Sequence, residues 1–162
     1  MTAIRFGTFT IYKGIEMSVS EYYGHGLDQD IEKKHLIISY TQEYGQLEGF
    51  NFIVESNNYK KDILVKDLEN AYFVVTKALY SGEVFEVEPY FGDDIHLHLA
   101  TKDLELGKKL GFYELHDSYG KPYYLGEIPI VYVEKIWEER QASTYNAPFP
   151  EKLEAIKILK ST

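Results

Sequence analysis

The chain has 162 residues, enough for one ordinary domain or two very small ones, and 44% of them are hydrophobic, so a folded core rather than disorder is expected. A net charge of −9 repels phosphate at long range, which argues against nucleic-acid binding and in favour of a basic protein partner. The absence of cysteine excludes disulfides, thiolate metal sites and a thiol nucleophile. The first residues lack a basic stretch followed by an apolar one, and no apolar run reaches spanning length, so a cytoplasmic protein that does not enter a membrane is expected.

Fifteen Tyr and nine Phe against one Trp favour strands, because flat rings pack well on a pleated, half-buried surface. In chain order, residues 4–12, 36–40, 50–55, 63–65 and 71–76 read as strands, with turns at 24–26 and 56–58. Residues 84–88 alternate, placing Phe85 and Val87 on one face and Glu86 and Glu88 on the other. Residues 95–99 alternate as well, with Ile95, Leu97 and Leu99 directed inward and His96 and His98 outward. Residues 101–110 predict one or two helical turns capped by Thr101 and closed by Gly111, although Gly107 weakens them. Strands at 112–115 and 123–126 flank a turn at 118–122. Trp137 is expected in the core. Residues 141–148 read as a linker, and 150–159 as a C-terminal helix opened by Pro150, with Phe149, Leu153, Ile156 and Leu159 forming one apolar stripe.

Two halves of the chain look alike. Tyr12-Lys13-Gly14-Ile15-Glu16-Met17-Ser18-Val19 lines up with Tyr80-Ser81-Gly82-Glu83-Val84-Phe85-Glu86-Val87, and Gly49-Phe50 with Gly111-Phe112. Residues 59–68 line up in the same order with 119–128. This predicts a tandem duplication of one small β unit, with a first copy at 1–76, a second at 77–140, and the linker and helix at 141–162.

The second copy opens with Ala78-Leu79-Tyr80, carries Gly92-Asp93-Asp94-Ile95 in its middle, and ends with Gly126-Glu127-Ile128-Pro129-Ile130-Val131-Tyr132-Val133-Glu134-Lys135-Ile136. This resembles the Src-homology-3 pattern over residues 78–136. The ending reads as a strand, a tight helical turn after Pro129 and a last strand. The resemblance implies a mainly β fold of two tandem Src-homology-3-like small barrels packed together, and offers Tyr80, Pro129 and Tyr132 as groove positions. The paired Trp and the acidic stretch of the family's opening are absent, so the resemblance implies the fold more strongly than proline-rich peptide binding.

Candidate chemistry is sparse. Glu86, Glu88, Tyr90, Phe91 and Asp93 lie in a stretch with no basic group, and acids interleaved with aromatic anchors suit a basic protein surface, although the plainer reading is a solvated hairpin. Asp94, His96 and His98 share one strand face with a metal-ligand spacing, but the plainer reading is the wet face of an amphipathic strand. His116-Asp117 would point to opposite faces of a strand. No nucleophile elbow and no phosphate loop is present, so no cofactor and no enzyme activity is expected. The expectation is a non-enzymatic interaction module for a basic protein or peptide, of inhibitor or immunity type, with a metal- or small-ligand-binding strand as the alternative. Free barrel edges leave room for a homodimer.

Overall fold

The computed structural model describes residues 4–21, 34–89 and 95–161, and the chain is mainly β, with twelve strands and one α-helix among them. It divides into two compact units. The first comprises Gly7–Val74 and Gln141–Leu153, and the second Met1–Phe6, Val75–Arg140 and Glu154–Thr162.

The first unit is built from β1 (Phe6–Tyr12), β2 (Ile15–Glu21), β3 (His35–Thr41), β4 (Asn51–Ile53), β5 (Asn58–Leu64) and the start of β6 (Tyr72–Tyr80). They pair in the order β4-β5-β3-β2-β1-β6. The β1–β2 hairpin has a two-residue loop, Lys13-Gly14, with φ of 51° and 77°, the double-positive turn whose twist matches its strands. Met17, Val19, Leu36, Ile38, Tyr40 and Phe50 fill the core. The buried Tyr40 is satisfied because its hydroxyl donates to Gly45 O and accepts from Leu47 N, both at 2.7 Å. A 3-10 turn, Val65–Asp67, joins β5 to the approach to β6. Ahead of β6, the Asn70 amide accepts from Ile11 N at 2.8 Å and donates to Ile11 O at 2.9 Å, standing in for a strand partner. Residues 141–153 are no free linker: Tyr145 is buried in this core, and Pro148 O accepts from Ala71 N at 3.0 Å.

The second unit adds β7 (Glu83–Val87), β8 (His96–Thr101), α1 (Leu104–Lys109), β9 (Tyr113–His116), β10 (Pro122–Pro129), β11 (Lys135–Ala142) and β12 (Ile156–Ser161). The order runs β6-β7-β8-β10-β9, with β11 pairing both β6 and β12. Ala78, Phe85, Val87, Leu97, Leu99, Phe112, Val133 and Ile136 form its core. The cap of α1 is Asp103, which accepts from Leu106 N at 3.0 Å, while Thr101 accepts from Asp103 N one step earlier. Gly107 is there for space, since a Cβ at that position would overlap Tyr124. A 3-10 turn, Ile130–Tyr132, joins β10 to β11, and Lys160 Nζ donates to the Ile130 and Val133 carbonyls at 2.6 and 2.5 Å.

Three expectations are corrected here. Residues 156–161 form strand β12, not a helix, paired as Glu138↔Lys157 and Glu139↔Ile156. The stripe that suits a helix also alternates as Ile156-Lys157-Ile158, and a short helix in water gains less than a ladder on β11. Trp137 is only half-buried, opposite Ile158, with its indole N–H donating to Glu139 at 3.1 Å. Ile95 lies just ahead of β8, 61% exposed rather than inward, and its carbonyl accepts from Ile130 N at 2.8 Å.

The two units follow one plan. The path β4-β5-β3-β2-β1-β6 reads onto β9-β10-β8-β7-β6-β11. The Ser81-Gly82 loop of the second, with φ of 51° and 76°, repeats Lys13-Gly14. Met17 and Val19 correspond to Phe85 and Val87, Leu36 and Ile38 to Leu97 and Leu99, and Phe50 to Phe112. The match of 59–68 with 119–128 is not structural. Tyr59 lies in β5 opposite Tyr40, whereas Tyr119 sits in a turn, 87% exposed. The two 3-10 turns correspond instead, so β5 reads onto β10 with Leu64 at the place of Pro129. Closed barrels do not form among the described residues: β4, β9 and β12 each pair on one side, and the sheet is open.

Candidate outer-face binding site

Strand alternation gives β7, β8 and β10 an inner face that fills the core and an outer face that leads to solvent. Phe85, Val87, Leu97 and Leu99 point inward, so Val84, Glu86, Glu88, His96, His98 and Ala100 point outward. Register then assembles rows across the strands. Glu86 lies opposite both Lys77 and Ala100, and Ala100 opposite Leu125. One step along, Glu88 N donates to His98 O at 2.9 Å, and His98 lies opposite Glu127. In the other direction follow Val84, Lys102 and Tyr123.

A cleft of about 760 Å³ opens on this face, lined by Lys77, Val84, Glu86, Glu88, Ala100, Thr101, Lys102, Asp117, Lys121, Pro122 and Tyr123. Its charges are not equally free. Lys77 Nζ is 3.1 Å from Glu86 Oε1. Asp117 Oδ1 accepts from Tyr119 N and Lys121 N, both at 2.9 Å, so this carboxylate builds the turn between β9 and β10. At the opposite end, His96 Nδ1 stands 3.8 Å from Glu127 Oε1. On the core side of β10, the Tyr124 hydroxyl donates to Glu114 at 2.9 Å, and this bond, with burial, raises its pKa.

Of the residues read from sequence, Glu86 and Glu88 share this cleft. Tyr80 does not join them; its ring packs against the core, 6.4 Å from Phe85. Pro129 ends β10 opposite His96, and the turn after it exposes Val131 and Tyr132 by 73% and 67% beside Ile95. Tyr90, Phe91, Asp93 and Asp94 lie outside the described residues. His96 and His98 share the outer face, but no group of three His, Asp or Glu among the described residues is placed to hold a metal. His116 is on β9, 3.5 Å from Glu114. Sequence reasoning missed Lys102, Lys121, Tyr123 and Glu127, which only the pairing of β10 with β8 brings to Glu86 and Glu88; the continuous run Tyr123-Tyr124-Leu125 gave no alternation that marks an outer face.

A family model matches residues 4–145. The chain belongs to the family described as Uncharacterised conserved protein UCP033725. The UCP033725 match takes in every residue of the cleft and ends at Tyr145, ahead of β12. No curated protein and no solved structure matches the chain. No helix among the described residues is long and apolar enough to cross a membrane.

Proposed function

We propose that this chain is a non-enzymatic, cytoplasmic interaction protein, built by duplication of a Src-homology-3-like unit, which binds a basic segment of another protein on the outer face of its second unit. An inhibitor or immunity-type role towards a basic toxin or enzyme fits that chemistry. One observation carries the reading. Where the second unit has Glu86 and Glu88, the first has Ser18 and Ser20, and Ser18 Oγ bonds Ser39 Oγ at 2.7 Å. The hydroxyl face closes on itself, whereas the carboxylate face opens on a cleft flanked by Val84 and Tyr123. Acids speed the approach of a basic partner, and the apolar groups supply contact that excludes water.

The test is affinity capture from the native host with three proteins: the unaltered chain, Glu86→Lys with Glu88→Lys, and Ser18→Lys with Ser20→Lys. The expected result is a partner retained by the first and third and lost by the second. Equal recovery by all three would sink the proposal.

A further inference from the structure

The cleft is not uniformly acidic, and the order of its charges along the strands is specific. At one end of the cleft stands Glu88, and beyond its lining the same row continues with His98 and Glu127. The middle row holds Ala100, with Leu125 opposite it but buried, and Glu86 neutralised by Lys77. At the other end Val84 and Tyr123 accompany Lys102, with Lys121 beyond. The carboxylate of Glu88 and the ammonium groups of Lys102 and Lys121 have no ion pair within the described residues, and Asp117 is engaged by two backbone N–H groups. Same-face neighbours on a strand are about 7 Å apart, so the acidic and basic ends are separated by about 13 Å. An extended chain covers that distance in about four residues.

Resting on the interaction reading above, we infer that this face binds an extended segment with charges of both signs: a basic residue over Glu88 and an acidic residue about four positions away over Lys102 and Lys121, with a small or apolar residue between them over Ala100. A segment basic throughout sets a like charge against the lysines. The face thus selects a charge order, not merely a charge sign.

Three end-blocked peptides test this by ¹⁵N–¹H NMR titration of the full chain: Lys-Thr-Val-Thr-Asp, Lys-Thr-Val-Thr-Lys and Asp-Thr-Val-Thr-Asp. The mixed peptide is expected to bind about three-fold or more tightly than either other, shifting amides of Glu88, Ala100, Lys102 and Tyr123, since one exposed ion pair changes affinity by about that factor. With Lys102→Glu and Lys121→Glu, both exposed positions that leave the core intact, the all-basic peptide should become the tightest. If the all-basic peptide binds the unaltered chain on this face as tightly as the mixed one, the charge-order inference falls and the interaction reading stands. If no peptide shifts this face, both fall. If the lysine reversals leave the ranking unchanged, the assignment of the basic end is overturned.

Discussion

Replacing Glu138 by Gln tests the electrostatic centre of the second unit. Glu138 is fully buried on β11; Arg5 grips it with Nε on Oε1 and an Nη on Oε2, both at 2.7 Å, and Arg140 adds bonds to Oε2 at 2.9 and 3.2 Å. Three charges in so little water hold together only while the negative one is present. Its removal leaves two guanidiniums facing each other, and breaking a buried pair in this way costs about 3–5 kcal/mol. Urea unfolding followed by circular dichroism at pH 7 should show a loss of that size. Burial pushes the Glu138 carboxyl up, but the hydrogen bonds and charges of Arg5 and then Arg140 outweigh it and hold it below the ordinary value. A depressed folded-state pKa contributes stability that is present above about pH 4.3, the unfolded value, and is lost as pH falls through the folded value. The gap between the unaltered protein and Glu138→Gln should therefore narrow below about pH 4.3. The joint change Arg5→Met, Glu138→Leu and Arg140→Met should lie closer to the unaltered protein than Glu138→Gln alone. A Glu138→Gln protein within about 1 kcal/mol at pH 7, or a gap that ignores pH, refutes the reasoning.

Two further predictions concern local structure. At the hairpin loops, Lys13 and Ser81 hold φ of 51° ahead of Gly14 and Gly82, a conformation asparagine tolerates better, so Lys13→Asn and Ser81→Asn should each raise stability by about 0.5 kcal/mol in urea melts. Gly107→Ala should lower it by about 1–3 kcal/mol, because the added methyl overlaps Tyr124 in a packed core and the usual helix gain from alanine is smaller; a stabilised variant would show that the helix moves aside freely.

What was legible in the sequence was local. Phe85 and Val87 against Glu86 and Glu88 required only the period of a strand, whereas Lys13-Gly14 and Ser81-Gly82 stood out only as matched positions of the repeat, and the strand at Ile15–Glu21 was not read. The ending at 126–136 was readable because Pro129, with φ of −56°, pre-sets entry into the 3-10 turn before β11 begins. What was hidden was pairing at a distance. Nothing around Ile156 says that β11 waits for a partner, and a six-residue segment with apolar groups at 156, 158 and 159 fits either period. Arg5 and Glu138 are joined across most of the chain with no motif in common. The basic end of the cleft was hidden for the same reason, since Lys102 follows β8 and Lys121 precedes β10.

The common plan of the two units makes their differences informative. Inward positions answer to volume: Met17 against Phe85, Ile38 against Leu99 and Phe50 against Phe112 are all large and apolar, because a void or an overlap at any of them costs stability. Outward positions have no such constraint. There the units diverge in chemistry, with Ser18, Ser20 and Ile37 standing where Glu86, Glu88 and His98 stand in the second. Exposed charges contribute too little to stability for folding to require Lys102 and Lys121, and neither they nor the half-buried Glu88 closes an ion pair within the described residues. Folding accounts for the inner faces of both units and for the bonded hydroxyls of the first. It does not call for the order of the unpaired charges in the second, and that is why binding is proposed for that face.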